Sequence, residues 1–350
     1  MTQIRLNNHL IARGKPPFIV AEAGINHNGS LQNAFKMIRL TKKCGIDAIK
    51  FQTFRAEEFI ATPSLMYTYK SQGKKITESM LKMFKRYEFS RNEWFKIKQR
   101  CDDENILFLS TPQNPSDLDL LLELDISAIK IGSDDLTNMP LLKYYASTKL
   151  PIILSCGMST LAEVKFALQT IGALKNYPTV LLVTTSQYPT PINDVNLLRF
   201  KTLSNSFPMI PFGFSDHTQG ILAASLAVAF GATVFEKHFT LDHNMAGPDH
   251  WFSANPQELR EWVNSIRKSY TMLGSPLVRP TQSEKKVIPI ARRTIVALRN
   301  ITKDETFNST NIGLRRIGKG LPPALIEQIY GMKSTKKINK GSILERGDFR

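Results

Sequence analysis

Two histidines recur at the same point of two similar segments. "FGFSDHT" carries His217, and "ATVFEKHFT" carries His238, 21 residues later; each closes a short apolar run. Neighbouring parallel strands lie about 4.8 Å apart, so histidines at matching depth can share one cation. Two imidazoles completed by water or carboxylate suit Mn²⁺, Fe²⁺ or Zn²⁺ better than a bare Mg²⁺. Each histidine taken alone reads equally as a hydrogen-bonded residue at a strand rim. Two lysines, Lys50 in "DAIKFQT" and Lys130 in "SAIKIGS", stand inside such runs. A lysine within an apolar strand is costly unless an anion compensates it. Hydroxyls at Thr111, Ser133, Ser155 and Ser215 follow other runs. Ammonium charge plus hydroxyl donors makes a cradle for a phosphorylated or polyanionic substrate, with internal ion pairs as the alternative. Glu22, in "IVAEAG", is either a general base and orienter or half of a structural salt bridge.

These residues need elements that converge them. Eight β-rich apolar runs recur: "PFIVAEAG", "DAIKFQT", "ILFLSTP", "SAIKIGS", "PIILSCG", "VLLVTTS", "PFGFSDH" and "TVFEKHF". Seven are near-continuously hydrophobic, as parallel strands covered on both faces must be. Helical patterns alternate with them. "SLQNAFKMIRLTKKCG" begins at a plausible N-cap, Ser30, and stops at Gly45; "PQELREWVNSIRKSYTMLG" opens with Pro256. Eight strand–helix repeats imply an α/β fold, a (β/α)₈ TIM barrel, whose strand C-termini carry the chemistry. Residues 54–90 interrupt the series, either as a lid or extra wall over the barrel mouth or as a surface excursion. Glu236 and Lys237 stay unassigned between the barrel interior and the helical layer.

The chain of 350 residues is 42% hydrophobic and 22% charged, a globular composition. It has no apolar run long enough for a membrane span and no signal-peptide pattern. Three widely spaced cysteines, Cys44, Cys101 and Cys156, predict reduced thiols and a cytoplasmic location. The formal charge of +16 fits either a taste for anions or a lysine-rich composition without functional meaning. Nucleic acid is disfavoured, because no basic helix with interleaved aromatics appears. Residues 281–350 hold 15 Lys+Arg and 6 Asp+Glu, and so +9 of the charge, which marks a separate module. The predicted division is a barrel over 1–275, a linker over 276–290 and a small β-rich domain over 291–350.

The ordered motifs "AEAGINHNGS", "IKFQT", "STP", "KIGS", "QYPTP", "GFSDHT", "FEKHFTLD" and "AGPDH", with "ARRTIVA" and "LRRIGKG" in the tail, resemble the sialic acid synthase family. Those enzymes make nonulosonic acids from phosphoenolpyruvate (PEP) and an N-acylated hexose. The resemblance implies a C–C bond-forming transferase with a C-terminal antifreeze-like (SAF) domain and a domain-swapped homodimer. It implies that Lys50, Thr111, Lys130, Ser133, Ser155 and Ser215 hold PEP. His217 and His238 would ligate a divalent metal, Mn²⁺ first, with Mg²⁺ or Co²⁺ as alternatives. Glu22 would orient PEP and assist proton traffic. Gln52, Asp135, Ser186, Tyr188 and Asp249 would contact the sugar, and Arg316 would reach its N-acyl group from the other subunit. The chain departs from the family pattern at Asp135, where N-acetylneuraminate synthases carry Glu, at Val183 and Thr184 in place of His and Cys, and at Cys156 in "SCGM" in place of "STGM". The expected reaction is of the N-acetylneuraminate synthase type. A 2,4-diacetamido-trideoxyhexose acceptor, giving legionaminic or pseudaminic acid, is the first alternative. A non-catalytic carbohydrate-binding protein is the second.

Overall fold

The eight runs form eight strands: β1 (Phe18–Gly24), β2 (Ala48–Thr53), β3 (Leu107–Pro112), β4 (Ile129–Ile131), β5 (Ile152–Ser155), β6 (Thr179–Val183), β7 (Phe212–Ser215) and β8 (Val234–His238). A computed structural model, which describes residues 3–350, pairs them in parallel in the order β3-β2-β1-β8-β7-β6-β5-β4. The two ends, β3 and β4, pack side by side and complete the ring. A helix follows each strand: α1 (Leu31–Lys43), α2 (Arg91–Asp103), α3 (Pro115–Glu123), α4 (Met139–Ser147), α5 (Leu161–Ile171), α6 (Arg199–Ser206), α7 (Leu222–Ala229) and α8 (Pro256–Leu273). This is a TIM-barrel-like α/β fold.

Local chemistry sets the helix ends. The Ser30 hydroxyl accepts from the Asn33 amide at the start of α1, and Gly45, at φ 76°, takes the left-handed conformation just beyond its end. Capping boxes open α2 (Ser90 with Glu93), α5 (Thr160 with Glu163) and α8 (Asn255 with Glu258), and Pro256 begins α8.

Strand side chains alternate between two environments with period two. Outward residues such as Ile19, Ile49 and Phe235 meet Met37, Trp94 and Trp262 of the helices. Inward residues Phe18, Val20, Ala48, Leu109, Ile153, Val180, Leu182 and Val234 fill the barrel. Ile4, Leu6 and Ile11, from an N-terminal hairpin (Ile4–Leu6 paired with His9–Ile11), join this inner cluster and plug it. Continued along the strands, the inward parity reaches Glu22, Lys50, Thr111, Lys130, Ser155, Ser215, Glu236 and His238. A layer of polar groups therefore stands directly on an apolar floor.

The same parity turns Lys237 outward. Its Nζ lies 3.2 Å from Asp216 Oδ2 and donates to the Thr218 carbonyl at 2.6 Å. Asp216 Oδ2 also accepts from Trp262 Nε1 at 2.8 Å, and Oδ1 accepts from the Thr218 amide and hydroxyl at 2.9 and 2.7 Å. Asp216 and Lys237 thus clasp β7 and β8 to α8, away from the inward polar layer.

Residues 54–90 fold as a short helix (Ala56–Phe59), an antiparallel hairpin (Met66–Ser71 with Lys74–Ser79) and a second helix (Met80–Lys85). Ile25, Phe54, Met83 and Tyr87 give this excursion an apolar cluster of its own.

The chain divides into two compact units, Met1–Gly274 and Ser275–Arg350. The stretch whose composition suggests a linker instead contains a helix, α9 (Gln282–Ala291), opened by a Thr281–Glu284 capping box. The second unit pairs β9 (Thr294–Ala297) with β10 (Ile312–Arg315) around a core that includes Ile295, Ile301, Phe307, Ile312 and Leu344. Cys44, Cys101 and Cys156 are buried free thiols. Among the described residues, no helix is long and apolar enough to cross a membrane.

Removing Asp216 strands a buried ammonium and an indole N–H. Asp216→Ala is expected to destabilise the protein by about 3–5 kcal/mol, read from the chemical denaturation midpoint. The double variant Asp216→Ala/Lys237→Met, which removes both charges, is expected to lose clearly less.

Candidate active site

A cavity of about 890 Å³ opens at the C-terminal ends of the strands. Thirteen of the residues singled out from sequence line it: Glu22, Lys50, Gln52, Thr111, Lys130, Ser133, Ser155, Ser186, Tyr188, Ser215, His217, His238 and Asp249. Asp135 is not among them. Its carboxylate accepts from Asn138 Nδ2 at 3.0 Å, and the preceding Asp134 lines the wall instead. Arg316 belongs to the second unit, where it is exposed just beyond β10.

The floor is a network of buried charges. Lys50 Nζ lies 2.5 Å from Glu22 Oε2 and 3.7 Å from Glu236 Oε2. Lys130 Nζ lies 3.7 Å from Glu236 Oε1 and donates to Ser155 Oγ at 2.8 Å. Thr111 Oγ1 accepts from Lys50 at 3.3 Å, and Ser215 Oγ donates to Glu236 Oε1 at 3.0 Å. Gln52 Nε2 reaches Glu22 Oε1 at 3.4 Å.

Burial and charge oppose each other across this network. Burial raises the Glu22 carboxyl to about 7 against the pull of Lys50. Burial would lower Lys50, but Glu22 and Glu236 outweigh it and hold its ammonium above the ordinary value. Burial prevails at Lys130, which falls below an ordinary lysine despite Glu236. Burial would raise Glu236, but Lys130 and Lys50 outweigh it and keep the carboxylate below its usual range.

Above the floor stand the two histidines, with ring centroids 5.5 Å apart. Tyr188 lies over His217 at 4.2 Å and edge-on to His238 at 5.4 Å; Phe252 flanks His238 at 5.3 Å. Burial lowers His217 to about 4 and His238 well below the usual imidazole value, so both rings are neutral at pH 7. His217 Nδ1 lies 2.8 Å from the Thr185 carbonyl. A carbonyl only accepts, so Nδ1 carries the proton and Nε2 keeps its lone pair. His238 Nδ1 is buried without a hydrogen-bond partner, 3.9 Å from Asp249 Oδ2. Two neutral imidazoles, one with an unused buried nitrogen, fit a divalent cation. Among the described residues, no group of three His, Cys, Asp or Glu side chains converges on a common point.

The walls come from the loops. The hairpin of the 54–90 excursion contributes Tyr67, Tyr69 and Lys70, and its second helix contributes Met80, Met83 and Phe84. Lys70 Nζ sits 4.6 Å above the Trp251 ring; Ser71 Oγ accepts from the Gly247 amide at 3.0 Å, and Gln72 donates to the Asn244 carbonyl at 2.8 Å. The excursion is therefore a wall joined to the loop after β8, which carries Asp249. That loop is itself anchored by the "INHN" segment. Asn26 Nδ2 reaches the Phe239 carbonyl and Ser253 Oγ, at 2.8 and 2.9 Å, and Asn28 Oδ1 pairs with His250 Nε2 at 3.0 Å. At Gly247 (φ 152°) a Cβ would come within 2.8 Å of His250. His27 stacks on Phe89 at 4.3 Å, so it is a packing residue. At Gly157 a Cβ would meet Ser186 Oγ at 2.4 Å and Ser133 Oγ at 2.9 Å; the bare glycine lets these two hydroxyls approach.

Sequence reading left Glu236 unassigned, passed over Asp134, and offered the 54–90 excursion as a candidate wall without naming the residues that line it. Glu236 was recoverable by counting alternate residues back from His238. The wall residues carry no comparable signal, because hairpin packing assembles them.

The NeuB family model matches residues 37–277. The chain is 38% identical to the N,N'-diacetyllegionaminic acid synthase of Legionella pneumophila, over 93% of this chain and 93% of that protein. It is 34% identical to the pseudaminic acid synthase of Campylobacter jejuni, over 96% and 97%. The crystal structure of the N-acetylneuraminic acid synthetase of Leptospira borgpetersenii superposes with a TM-score of 0.73 at 35% identity, covering 82% of this chain and 95% of that one.

Burial also pushes the Asp249 carboxyl up to about 7. Like Glu22, Asp249 binds a proton in the folded chain that the unfolded chain has released between about pH 4 and pH 7. The stability these two groups contribute is therefore present at low pH and lost as pH rises through about 7. In metal-free buffer, Asp249→Asn is expected to flatten the fall of unfolding free energy over this range and to gain about 1–2 kcal/mol at pH 8, less than the full shift because the carboxyl still meets cavity water.

Proposed function

The chain belongs to the NeuB family, the sialic, legionaminic and pseudaminic acid synthases, and on that premise we propose that it condenses PEP with an open-chain N-acylated mannose-type sugar and releases phosphate. The observation that carries this reading is a buried two-lysine floor, with the Thr111, Ser155 and Ser215 hydroxyls around it, beneath two neutral histidines in one cavity. Lys50 and Lys130, with those hydroxyls and Ser133, would hold the phosphate and carboxylate of PEP. Gln52, Ser186, Tyr188 and Asp249 would hold the sugar, with its aldehyde carbon over C3 of PEP. Asp134, which lines the wall, takes the sugar-facing place expected of Asp135.

C3 of PEP attacks the aldehyde carbon, forming the new C–C bond, and C2 becomes cationic. Water adds at C2, and one of its protons passes by way of Glu22 to the alkoxide left on the former aldehyde carbon; phosphate then leaves with the bridging oxygen by C–O cleavage, taking up the proton of the C2 hydroxyl as the ketone forms. Glu22, paired with Lys50 at the floor, would face the cationic stage and take the proton of the added water. His217 and His238 would hold a divalent cation, Mn²⁺ in the first instance, which supplies Lewis-acid polarisation of the aldehyde oxygen. The basic second unit is read as an antifreeze-like module of a swapped homodimer, with Arg316 reaching the N-acyl group of an acceptor held by the other subunit.

A second reading keeps the chemistry and changes the sugar to a 2,4-diacetamido-trideoxyhexose. Met80, Met83, Phe84 and Phe252 in the cavity lining favour it, since a 6-deoxy methyl group suits an apolar surface.

The direct test offers PEP with N-acetylmannosamine or with the diacetamido sugar and reads phosphate release and product mass. The bridging oxygen of PEP, labelled with a heavy isotope, is expected in the phosphate. Sugar binding without phosphate release would make the protein a lectin-like binder and overturn the reaction. EDTA should abolish turnover and Mn²⁺ restore it. His238→Ala is expected to lower kcat on the order of 10³-fold, roughly 4 kcal/mol, with the melting temperature retained; undiminished turnover would return His238 to packing. Arg316→Ala should raise the acceptor KM roughly tenfold, about 1.4 kcal/mol, without a matching fall in kcat.

A further inference from the structure

Glu236 has no part in the reaction above, yet it stands at the centre of the lysine cradle. Its Oε1 accepts from Ser215 and faces Lys130, and its Oε2 faces Lys50. Both ion pairs are 3.7 Å long, too far for a short charge-assisted hydrogen bond. The Glu22–Lys50 pair, at 2.5 Å, is much tighter. Among the described residues Glu236 is the one carboxylate within 4 Å of Lys130, whose closest partner is the neutral hydroxyl of Ser155. The Glu236 side chain is only 8% exposed, so its charge is scarcely screened by water.

We propose that Glu236 is a resident counter-anion: it balances Lys130 and Lys50 while the cradle holds no phosphate, yields them to the incoming anion, and reclaims them so that the product phosphate leaves. The inference rests on the lysine cradle being the anion site of the proposed reaction. The floor sets two glutamates against two lysines. Without Glu236, Lys130 would have no carboxylate within 4 Å among the described residues, and a phosphate left beside it would be held the harder. A loose pair suits this task, because a tight one would exclude substrate as effectively as product.

The test is the affinity for inorganic phosphate, measured by calorimetry on the full-length protein at one fixed pH. Glu236→Gln keeps the size and the hydrogen bond from Ser215 but removes the charge. It is expected to bind phosphate at least tenfold more tightly than the wild type. Phosphate should become a correspondingly stronger competitor of PEP, and kcat and the KM for PEP should fall together as release becomes limiting. A residue that merely shapes the floor would weaken phosphate binding when replaced. Equal or weaker phosphate binding by the folded variant overturns the proposal. Glu236→Asp keeps the charge but withdraws it from the lysines, and its affinity is expected between the two. It carries the test if the glutamine variant does not fold, and phosphate binding no tighter than wild type then overturns the proposal. Tighter phosphate binding in a protein that consumes no PEP would leave the counter-anion standing and remove the reaction; PEP turnover with unchanged phosphate affinity would do the reverse.

Discussion

Two lysine ammonium groups buried at the ends of apolar strands set the terms for the rest of the first unit. Lys50 and Lys130 are each 3% exposed, directly above the leucine, isoleucine and valine floor of the barrel. Such charges persist only beside compensating ones. Glu22 and Glu236 supply that compensation, and the hydroxyls of Thr111 and Ser155 accept what hydrogen bonds remain. The result is a floor on which each ammonium faces a carboxylate.

The loops extend this constraint outward. The histidines are neutral because burial denies them a second proton, which leaves lone pairs for a cation. The loop after β8, with Asp249, Trp251 and Phe252, is held in place by asparagines of the β1 loop more than 200 residues earlier in the chain and by the hairpin of the 54–90 excursion. Hydrogen bonds from outside the loop restrict the rotamers and backbone of the residues that line the cavity. The aromatic and methionine surface of the excursion faces the same cavity, so part of the cavity wall lies in an element outside the barrel repeat.

Much of this was legible before any coordinates. The eight runs, the helix caps at Ser30 and Pro256, and the lysines, histidines, hydroxyls and Glu22 of the cavity follow from local pattern: strand period, capping chemistry, and polar residues at the ends of apolar runs; Gln52, Ser186, Tyr188 and Asp249 follow from the family resemblance. The parts that escaped are instructive. The Thr281–Glu284 capping box was a helix signal inside a stretch whose proline, serine and charge suggested a linker. Asp134 and Asp135 are adjacent, and nothing in their identity says which one turns to the wall. Asn26 and His27 follow a strand end as site residues do, yet they pack and anchor a loop.

The sequence by itself determined the barrel, the depth at which each strand turns polar, and the residue types gathered there, because a strand's alternation is fixed within a few residues of itself. Tertiary structure decided the rest. It set Glu236 3.7 Å from both Lys50 and Lys130 and gave Lys237 its partner Asp216. It joined a hairpin near residue 70 to a loop near residue 247, and it gave His217 its tautomer through the Thr185 carbonyl. Each of these depends on distances between groups far apart in the chain, which only the closed ring brings to hydrogen-bonding range.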